Sequence, residues 1–93
     1  MAAKIVRYYI SFKGRVQGVG FRFRAQHAAE TFHLTGWVRN EYDGSVSMEA
    51  QGTIADIYQM IDMLSDDRWI RIEEKYMQEI PVEEGETRFR TVY

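Results

Sequence analysis

The spacing of apolar residues switches between two periods along this chain, and the order of the switches restricts the possible folds more than composition does. Over residues 6–13 apolar and polar residues alternate, and aromatic and β-branched side chains are frequent, which is typical of a half-buried strand. Over residues 21–32 apolar residues recur at helical spacing, and the pair Thr35-Gly36 supplies a stop signal. The chain is therefore predicted to begin with a strand and a helix.

A hairpin is predicted next. Residues 37–40 and 45–51 have strand character, and the pair Asp43-Gly44 between them is a strong signal for a tight turn. These two strands are therefore predicted to be antiparallel neighbours.

The rest of the chain adds a helix and two strands. Thr53, with Asp56 three residues later, resembles a capping box, and the apolar residues that follow share one face, so a helix is predicted over residues 53–65. Residues 70–77 form a predicted fourth strand and residues 87–93 a short fifth one. The order β-α-β-β-α-β is that of the ferredoxin-like α+β sandwich, in which two helices cover one face of a four- to five-stranded antiparallel sheet.

Composition excludes several functions that this fold can host. The third predicted strand lacks the glycine and aromatic pattern of an RNA-recognition strand, and the formal net charge is -2. The sequence has no cysteine, which excludes disulfides, thiolate metal sites and a catalytic thiol. No apolar run approaches the roughly 18 residues of a membrane span, and no signal-peptide pattern is evident. We expect a soluble cytoplasmic protein in which residues 1–93 form a single domain.

The charges are unevenly distributed. Residues 1–29 hold six basic residues and no acidic one, whereas residues 30–93 hold all 14 acidic residues and the other six basic ones. An anionic ligand near the first third of the chain would explain this division. Attraction between the two parts of the folded chain would explain it equally well.

The predicted first strand and helix are joined by a turn that contains Gly14, Gly18 and Gly20. Glycine lets the backbone turn sharply so that successive N–H groups face inward, and the first N–H groups of a helix have no partner within it. Together these groups can bind an anion. The turn is not a Walker loop, since no Lys-Ser/Thr pair follows, and its glycine spacing is not that of a dinucleotide fingerprint. A plain tight turn without a ligand is the alternative.

Arginines at the start of the first predicted helix break a local rule. Helix N-termini favour Asp and Glu because the helix dipole is positive there, yet this helix has Arg22 and Arg24 in its first turn. A phosphate bound between the N–H groups and a guanidinium would turn this repulsion into attraction. We assign phosphate binding to Arg22, whereas Arg15 and Arg24 can equally be solvated surface residues.

The residue types near the turn also restrict the reaction. The turn offers no Ser, Thr, Cys or His as a nucleophile, so water must attack the phosphorus. Asn40 could hold this water through its amide, or it could simply help to form the hairpin turn. No general acid and no carboxylate cluster for a metal is evident, so the leaving group must depart unaided. A carboxylate does so readily, which indicates an acyl phosphate as the substrate.

Two motifs make the chain resemble the acylphosphatase family. They stand in order and at the right spacing, and the likeness in length and element order extends over nearly the whole chain. At Phe12 the family more often has an aliphatic residue, which affects core packing and not chemistry. The motifs are Gly14-Arg15-Val16-Gln17-Gly18-Val19-Gly20-Phe21-Arg22 and Gly36-Trp37-Val38-Arg39-Asn40, the second followed by Asp43-Gly44-Ser45-Val46.

This resemblance implies a metal-independent enzyme that hydrolyses small acyl phosphates to a carboxylate and inorganic phosphate by direct water attack. Arg22 would bind the phosphate and Asn40 would position the water. No cofactor is expected, nucleic acid and membranes are not expected partners, and a monomer is the default. The backbone N–H groups that would line the substrate cradle belong to Gln17, Gly18, Val19, Gly20, Phe21 and Arg22.

Two alternatives remain at this point. A catalytically weak acyl-phosphate-binding module, of the kind fused to larger maturation enzymes, would share the motifs, although the printed sequence shows no second domain and so favours the enzyme. An amino-acid-sensing or oligomerising ferredoxin-like domain would require neither Arg22 nor phosphate affinity. His27 and His33 lie late in the first predicted helix, away from the turn, and receive no role.

Overall fold

A computed structural model describes residues 3–93 of the chain. Within this part the chain forms five strands and two helices in the predicted order. Both helices begin and end within one residue of their predicted limits, and the strand ends differ from theirs by up to three residues. The elements are β1 (Val6–Arg15), α1 (Phe21–Thr31), β2 (Thr35–Asn40), β3 (Val46–Gly52), α2 (Ile54–Ser65), β4 (Arg71–Ile80) and β5 (Phe89–Thr91).

The strands form one sheet in the order β4-β1-β3-β2-β5. The ferredoxin-like fold is confirmed, with one correction: β5 pairs parallel to β2, so the sheet is mixed and not wholly antiparallel. The topology explains this direction. β4 lies at one edge of the sheet and runs antiparallel to β1. The chain then passes to the opposite edge, and β5 begins at the same end of the sheet at which β4 finishes. β5 therefore runs opposite to β4 and in the same direction as β2.

The period of two places alternate residues of each strand on the helix-covered face. Ile10 of β1 lies opposite Met48 of β3, which lies opposite Val38 of β2, and all three are fully buried. Apolar residues of both helices complete this core. The helical contribution is Phe21, Ala25, Ala28, Ala29, Ile57, Met60, Ile61 and Leu64.

The predicted cap of α2 is confirmed, whereas the predicted stop of α1 is wrong. The Thr53 hydroxyl accepts a hydrogen bond from the Asp56 backbone N–H at 3.1 Å. α1 ends before Thr35-Gly36, which already belong to β2. Its end is formed by His33, with a φ of 58°, together with Leu34, whose N–H donates to the Ala29 carbonyl at 2.8 Å. This is the pattern of a Schellman motif, which usually has glycine at the left-handed position.

A buried arginine on the open face of the sheet explains part of the uneven charge distribution. Arg7 is only 2% exposed, and its guanidinium donates to Glu49 of β3 at 2.8 Å and to Glu86 of the loop before β5 at 2.7 Å. Gln51 accepts a further hydrogen bond from it at 3.1 Å. Attraction between the basic and acidic parts of the chain is thus the correct interpretation for Arg7.

Neither helix in residues 3–93 is long and apolar enough to cross a membrane.

Candidate active site

The glycine-rich turn and the ends of two strands meet at one end of the sheet. β1 enters the turn at this end, and α1 leaves from it. The carboxyl ends of β2 and of the parallel strand β5 lie at the same end, since the registers pair Asn40 with Val46 and Val38 with Thr91. A cavity of about 390 Å³ opens between these elements. Its walls are Val16, Gly18, Gly20, Phe21, Arg22, Phe23, Gln26, Asn40, Thr91 and Tyr93.

The backbone of the turn has the conformation that its glycines make possible. Gly18 and Gly20 have φ values of 75° and 78°, in the left-handed region that other residues rarely adopt. Gly20 is also the N-cap of α1, and no side chain caps the first turn of this helix. No acidic residue stands in that turn. The first N–H groups of α1 therefore remain available to an anion at the cavity.

Arg22 and Asn40 line this same cavity although they are far apart in sequence. Asn40 lies opposite Val46 in the hairpin, and Val46 is a core residue. The Asn40 side chain is therefore on the helix-covered face of the sheet, next to the turn. The Arg22 guanidinium carbon lies 5.0 Å from the centroid of the Tyr93 ring. Phosphate binding by Arg22 and water positioning by Asn40 are thus geometrically compatible with one bound ligand.

Two residues of the predicted cradle do not line the cavity with their side chains. The Gln17 amide donates to the backbone carbonyls of Glu41 and Ser45, at 2.8 Å each. It therefore ties the turn to the hairpin that carries Asn40. Val19 is half-buried and packs against the core.

Five further wall residues were not predicted as site residues from the sequence: Val16, Phe23, Gln26, Thr91 and Tyr93. Gln26 follows Arg22 by one helical turn, so the helical period was a usable signal for it. Nothing local indicated Thr91 and Tyr93, because they reach the cavity only through the parallel pairing of β5. The Thr91 hydroxyl donates to the Gln26 side-chain oxygen at 3.0 Å, which joins β5 to α1 beside the cavity.

Carboxylates and imidazoles lie away from the cavity. Glu41 follows Asn40 directly, but its carboxylate accepts hydrogen bonds from Ser47 and Arg39, and these bonds hold the pKa of Glu41 below its usual value. A carboxylate held in this way is a weak base. His27 and His33 are not among the wall residues. Within residues 3–93 no three His, Cys, Asp or Glu side chains are grouped so as to hold a metal ion.

The cavity therefore combines N–H donors, a guanidinium and the side-chain amides of Gln26 and Asn40, and its wall side chains include no carboxylate or imidazole. Such a set can neutralise a dianion and orient one water molecule. It favours a reaction that depends on positioning and charge neutralisation, as phosphoryl transfer does.

Comparison with known proteins identifies similar chains. The family model described as Acylphosphatase matches residues 8–91. The acylphosphatase of Clostridium acetobutylicum is 39% identical over 88 residues, which cover 94% of this chain and 97% of that protein.

Solved structures agree with this match. The crystal structure of acylphosphatase from Bacillus subtilis superimposes with a TM-score of 0.86 at 34% identity, over 95% of this chain and 99% of that one. A crystal structure of full-length HypF in a phosphate- and nucleotide-bound form matches with a TM-score of 0.88 at 28% identity. That match covers all of this chain but only 12% of HypF.

Proposed function

We propose that Arg22 and Asn40 carry out the reaction of this chain, which belongs to the acylphosphatase family and hydrolyses acyl phosphates to a carboxylate and inorganic phosphate. One observation carries the assignment. Arg22, Asn40 and the uncapped start of α1 line a single cavity.

The first part of the proposed mechanism is binding of the phosphate group. Its oxygens accept hydrogen bonds from the backbone N–H groups of residues 17–22 and from the Arg22 guanidinium. The N–H groups at the start of α1 carry a partial positive charge, and the guanidinium adds a full one. These charges offset the repulsion that a dianion presents to an attacking water.

The second part is attack by water. The Asn40 amide holds one water so that its oxygen faces the phosphorus in line with the bond to the acyl oxygen. As the new phosphorus–oxygen bond forms, the bond to the acyl oxygen breaks and its electron pair leaves with the carboxylate. The proton that the water loses passes to a phosphate oxygen, because the side chains of the described wall residues include no carboxylate or imidazole. The products are a carboxylate and inorganic phosphate.

Exchange of Asn40 tests the role in catalysis. We expect Asn40→Ala to lower kcat on benzoyl phosphate by about 10²–10³, the usual loss for one oriented polar group, with little change in phosphate affinity. Arg22→Ala should lower both activity and phosphate affinity. Phosphate release measures the rate, and titration with inorganic phosphate measures binding. The control is Gln59→Ala, which removes an exposed amide from α2 and should leave both unchanged.

Full activity of Asn40→Ala would exclude the water-holding role. Chelators should leave the rate of the natural chain unchanged, and substantial loss in EDTA would reveal a required metal. Binding of phosphate without turnover of either benzoyl or acetyl phosphate would instead fit the binding-module alternative.

We also propose that the enzyme acts as a monomer with one domain over residues 1–93. The strands and helices share one core, which supports the single-domain part of this proposal. A cytoplasmic location would give the enzyme access to phosphorylated carboxylic acids made inside the cell. Sedimentation of the purified chain tests whether it is a monomer, and fractionation of cells tests its location.

A further inference from the structure

A second cavity, of about 350 Å³, lies where β1 meets β4 and is lined by three arginines. Arg15 comes from the end of β1, Arg71 from the start of β4, and Arg68 from the loop between α2 and β4. Its walls share no residue with the cavity that contains Arg22 and Asn40. None of its wall residues is acidic.

The three arginines of this cavity have no carboxylate partner in the described part of the chain. The ion pairs found in residues 3–93 involve Arg7, Arg24 and Arg39 instead. The nearest acid in sequence, Asp67, is engaged elsewhere. One of its oxygens lies 3.1 Å from the Arg24 Nε, and the other accepts the Trp69 backbone N–H at 2.8 Å.

The sheet places two of these like charges directly opposite each other. Arg15 and Arg71 are Cα partners in the antiparallel pairing of β1 and β4, just beyond a shift in register between Lys13 and Gly14. Like charges opposite each other destabilise a strand pair, whereas opposite charges would stabilise it. Local rules are broken mainly at functional or strained sites, and an anionic ligand here would supply the missing charge.

The loop before β4 adds the third cation and an aromatic ring. The Arg68 guanidinium carbon lies 5.4 Å from the centroid of the Trp69 ring, and Trp69 is 55% exposed. The contact holds the guanidinium at the cavity, and Asp67 fixes the loop through the Trp69 N–H. The cations are thus presented by two segments, the end of β1 and residues 68–71.

We infer that Arg15, Arg68 and Arg71 form a second anion site, which binds the oligophosphate chain of a small molecule. Three guanidiniums match several neighbouring phosphates better than a single one, because each guanidinium can donate two parallel hydrogen bonds. The cavity volume lies within the usual range for small-molecule sites, roughly 300–1,000 Å³. Because its walls hold no carboxylate for a metal, the site takes the free polyanion, and excess Mg²⁺ weakens binding by neutralising the ligand.

Calorimetric titration with tripolyphosphate and with ATP, both without divalent ions, tests this inference. We expect Arg68→Gln/Arg71→Gln to weaken tripolyphosphate binding at least about tenfold, because two charge-assisted donors are lost. Arg22→Ala should change it less than about twofold, since that variant disables only the other cavity. The matched control is Arg88→Gln/Arg90→Gln, which removes the same charge from an exposed region that also contains Glu83, Glu84 and Glu86.

The outcomes separate the site from general electrostatic attraction. Equal losses in the two double variants, or loss in Arg22→Ala alone, would overturn the inference, as would no binding by the natural chain. Arg68→Lys/Arg71→Lys should recover part of the affinity, which shows that a loss in the glutamine variant is not unfolding. Equal affinity for both ligands supports a site for the phosphate chain alone. If ATP binds more tightly than tripolyphosphate and Trp69→Ala removes this preference, the site also holds the adenine base.

Discussion

Gly18 and Gly85 have similar φ values, 75° and 81°, and a Cβ at either position would meet open space. Only Gly18 belongs to the glycine-rich turn, where it lines the cavity together with Arg22 and Asn40. We expect Gly18→Ala and Gly85→Ala each to lower the free energy of unfolding by about 1 kcal/mol, because both strain the backbone. Phosphate affinity should fall severalfold in Gly18→Ala only, because the strained backbone would displace the N–H groups of the glycine-rich turn. Chemical denaturation and phosphate titration measure the two effects.

Unchanged phosphate affinity in Gly18→Ala, with the stability cost present, would show that the left-handed backbone at this position does not shape the site. Equal loss of affinity in both variants would indicate a general effect of destabilisation.

We expect the Gln17 side chain to act as a positioning residue, since its amide contacts the hairpin and does not line the cavity. We expect Gln17→Ala to lower kcat by about tenfold, because the distance between the turn and Asn40 is no longer fixed. The free energy of unfolding should fall by about 1–2 kcal/mol through the loss of two hydrogen bonds. Since the cradle itself is retained, phosphate affinity should change little, and steady-state kinetics with phosphate as an inhibitor would show this split. Parallel loss of kcat and phosphate affinity would indicate that Gln17 supports the cradle itself.

At the scale of elements, the two helices start in contrasting ways. α2 has a side-chain cap at Thr53 and an acidic residue, Asp56, in its first turn. α1 starts at Gly20 with neither. Ordinary capping stabilises the first helix turn by satisfying its N–H groups, and α1 forgoes this stabilisation where the phosphate is proposed to bind. The contrast is visible in the sequence, which is why an anion site could be predicted at the start of α1 from the sequence alone.

The end of α1 offers a prediction about stability. His33 occupies the left-handed position of the Schellman motif, where a side chain is strained and glycine is not. We expect His33→Gly to raise the free energy of unfolding by about 1 kcal/mol and to leave activity unchanged. His33→Ala, which keeps the Cβ, is the control and should give no such gain. A loss of stability in His33→Gly would mean that the imidazole makes a contact worth more than the strain.

At the scale of the whole molecule, the ion pairs of Arg7 with Glu49 and Glu86 connect the sheet to the loop before β5. Burial by itself raises the pKa of Glu86, but hydrogen bonds from Arg7 and Thr35 and the charges of Arg7 and Arg90 outweigh it, so the pKa lies below its usual value. A carboxyl with a lowered pKa in the folded state stabilises the fold above its unfolded pKa, about 4.3 for Glu. This stabilisation is lost as the pH falls through the lower, folded value.

We therefore expect Glu86→Gln to lower the free energy of unfolding by about 2 kcal/mol at pH 7, since the bonds it removes involve charged groups. The difference from the natural chain should shrink as the pH falls below about 4. Denaturation at several pH values measures this, with Glu84→Gln as the control at an exposed glutamate. A difference that does not vary with pH would indicate that packing, and not charge, supplies the stabilisation.

The local pattern of the sequence determined the elements and the core of the site. Alternating and helical periods depend only on near neighbours, so they predicted both helices and all five strands, with errors mainly at the strand ends. The glycines and Arg22 at the start of α1 share one segment, and the motif order pointed to Asn40. Tertiary structure alone decided the parallel direction of β5, which brings Thr91 and Tyr93 to the cavity.

Tertiary structure also divided the arginines of the N-terminal third among different partners. Arg7 and Arg24 pair with acids far away in sequence, whereas Arg15 meets Arg71 across a strand pair. Such partners depend on sheet order and register, which bring together residues more than 40 positions apart. A single sequence carries the spacing of neighbours along the chain, but the pairing of distant segments depends on how the whole core packs.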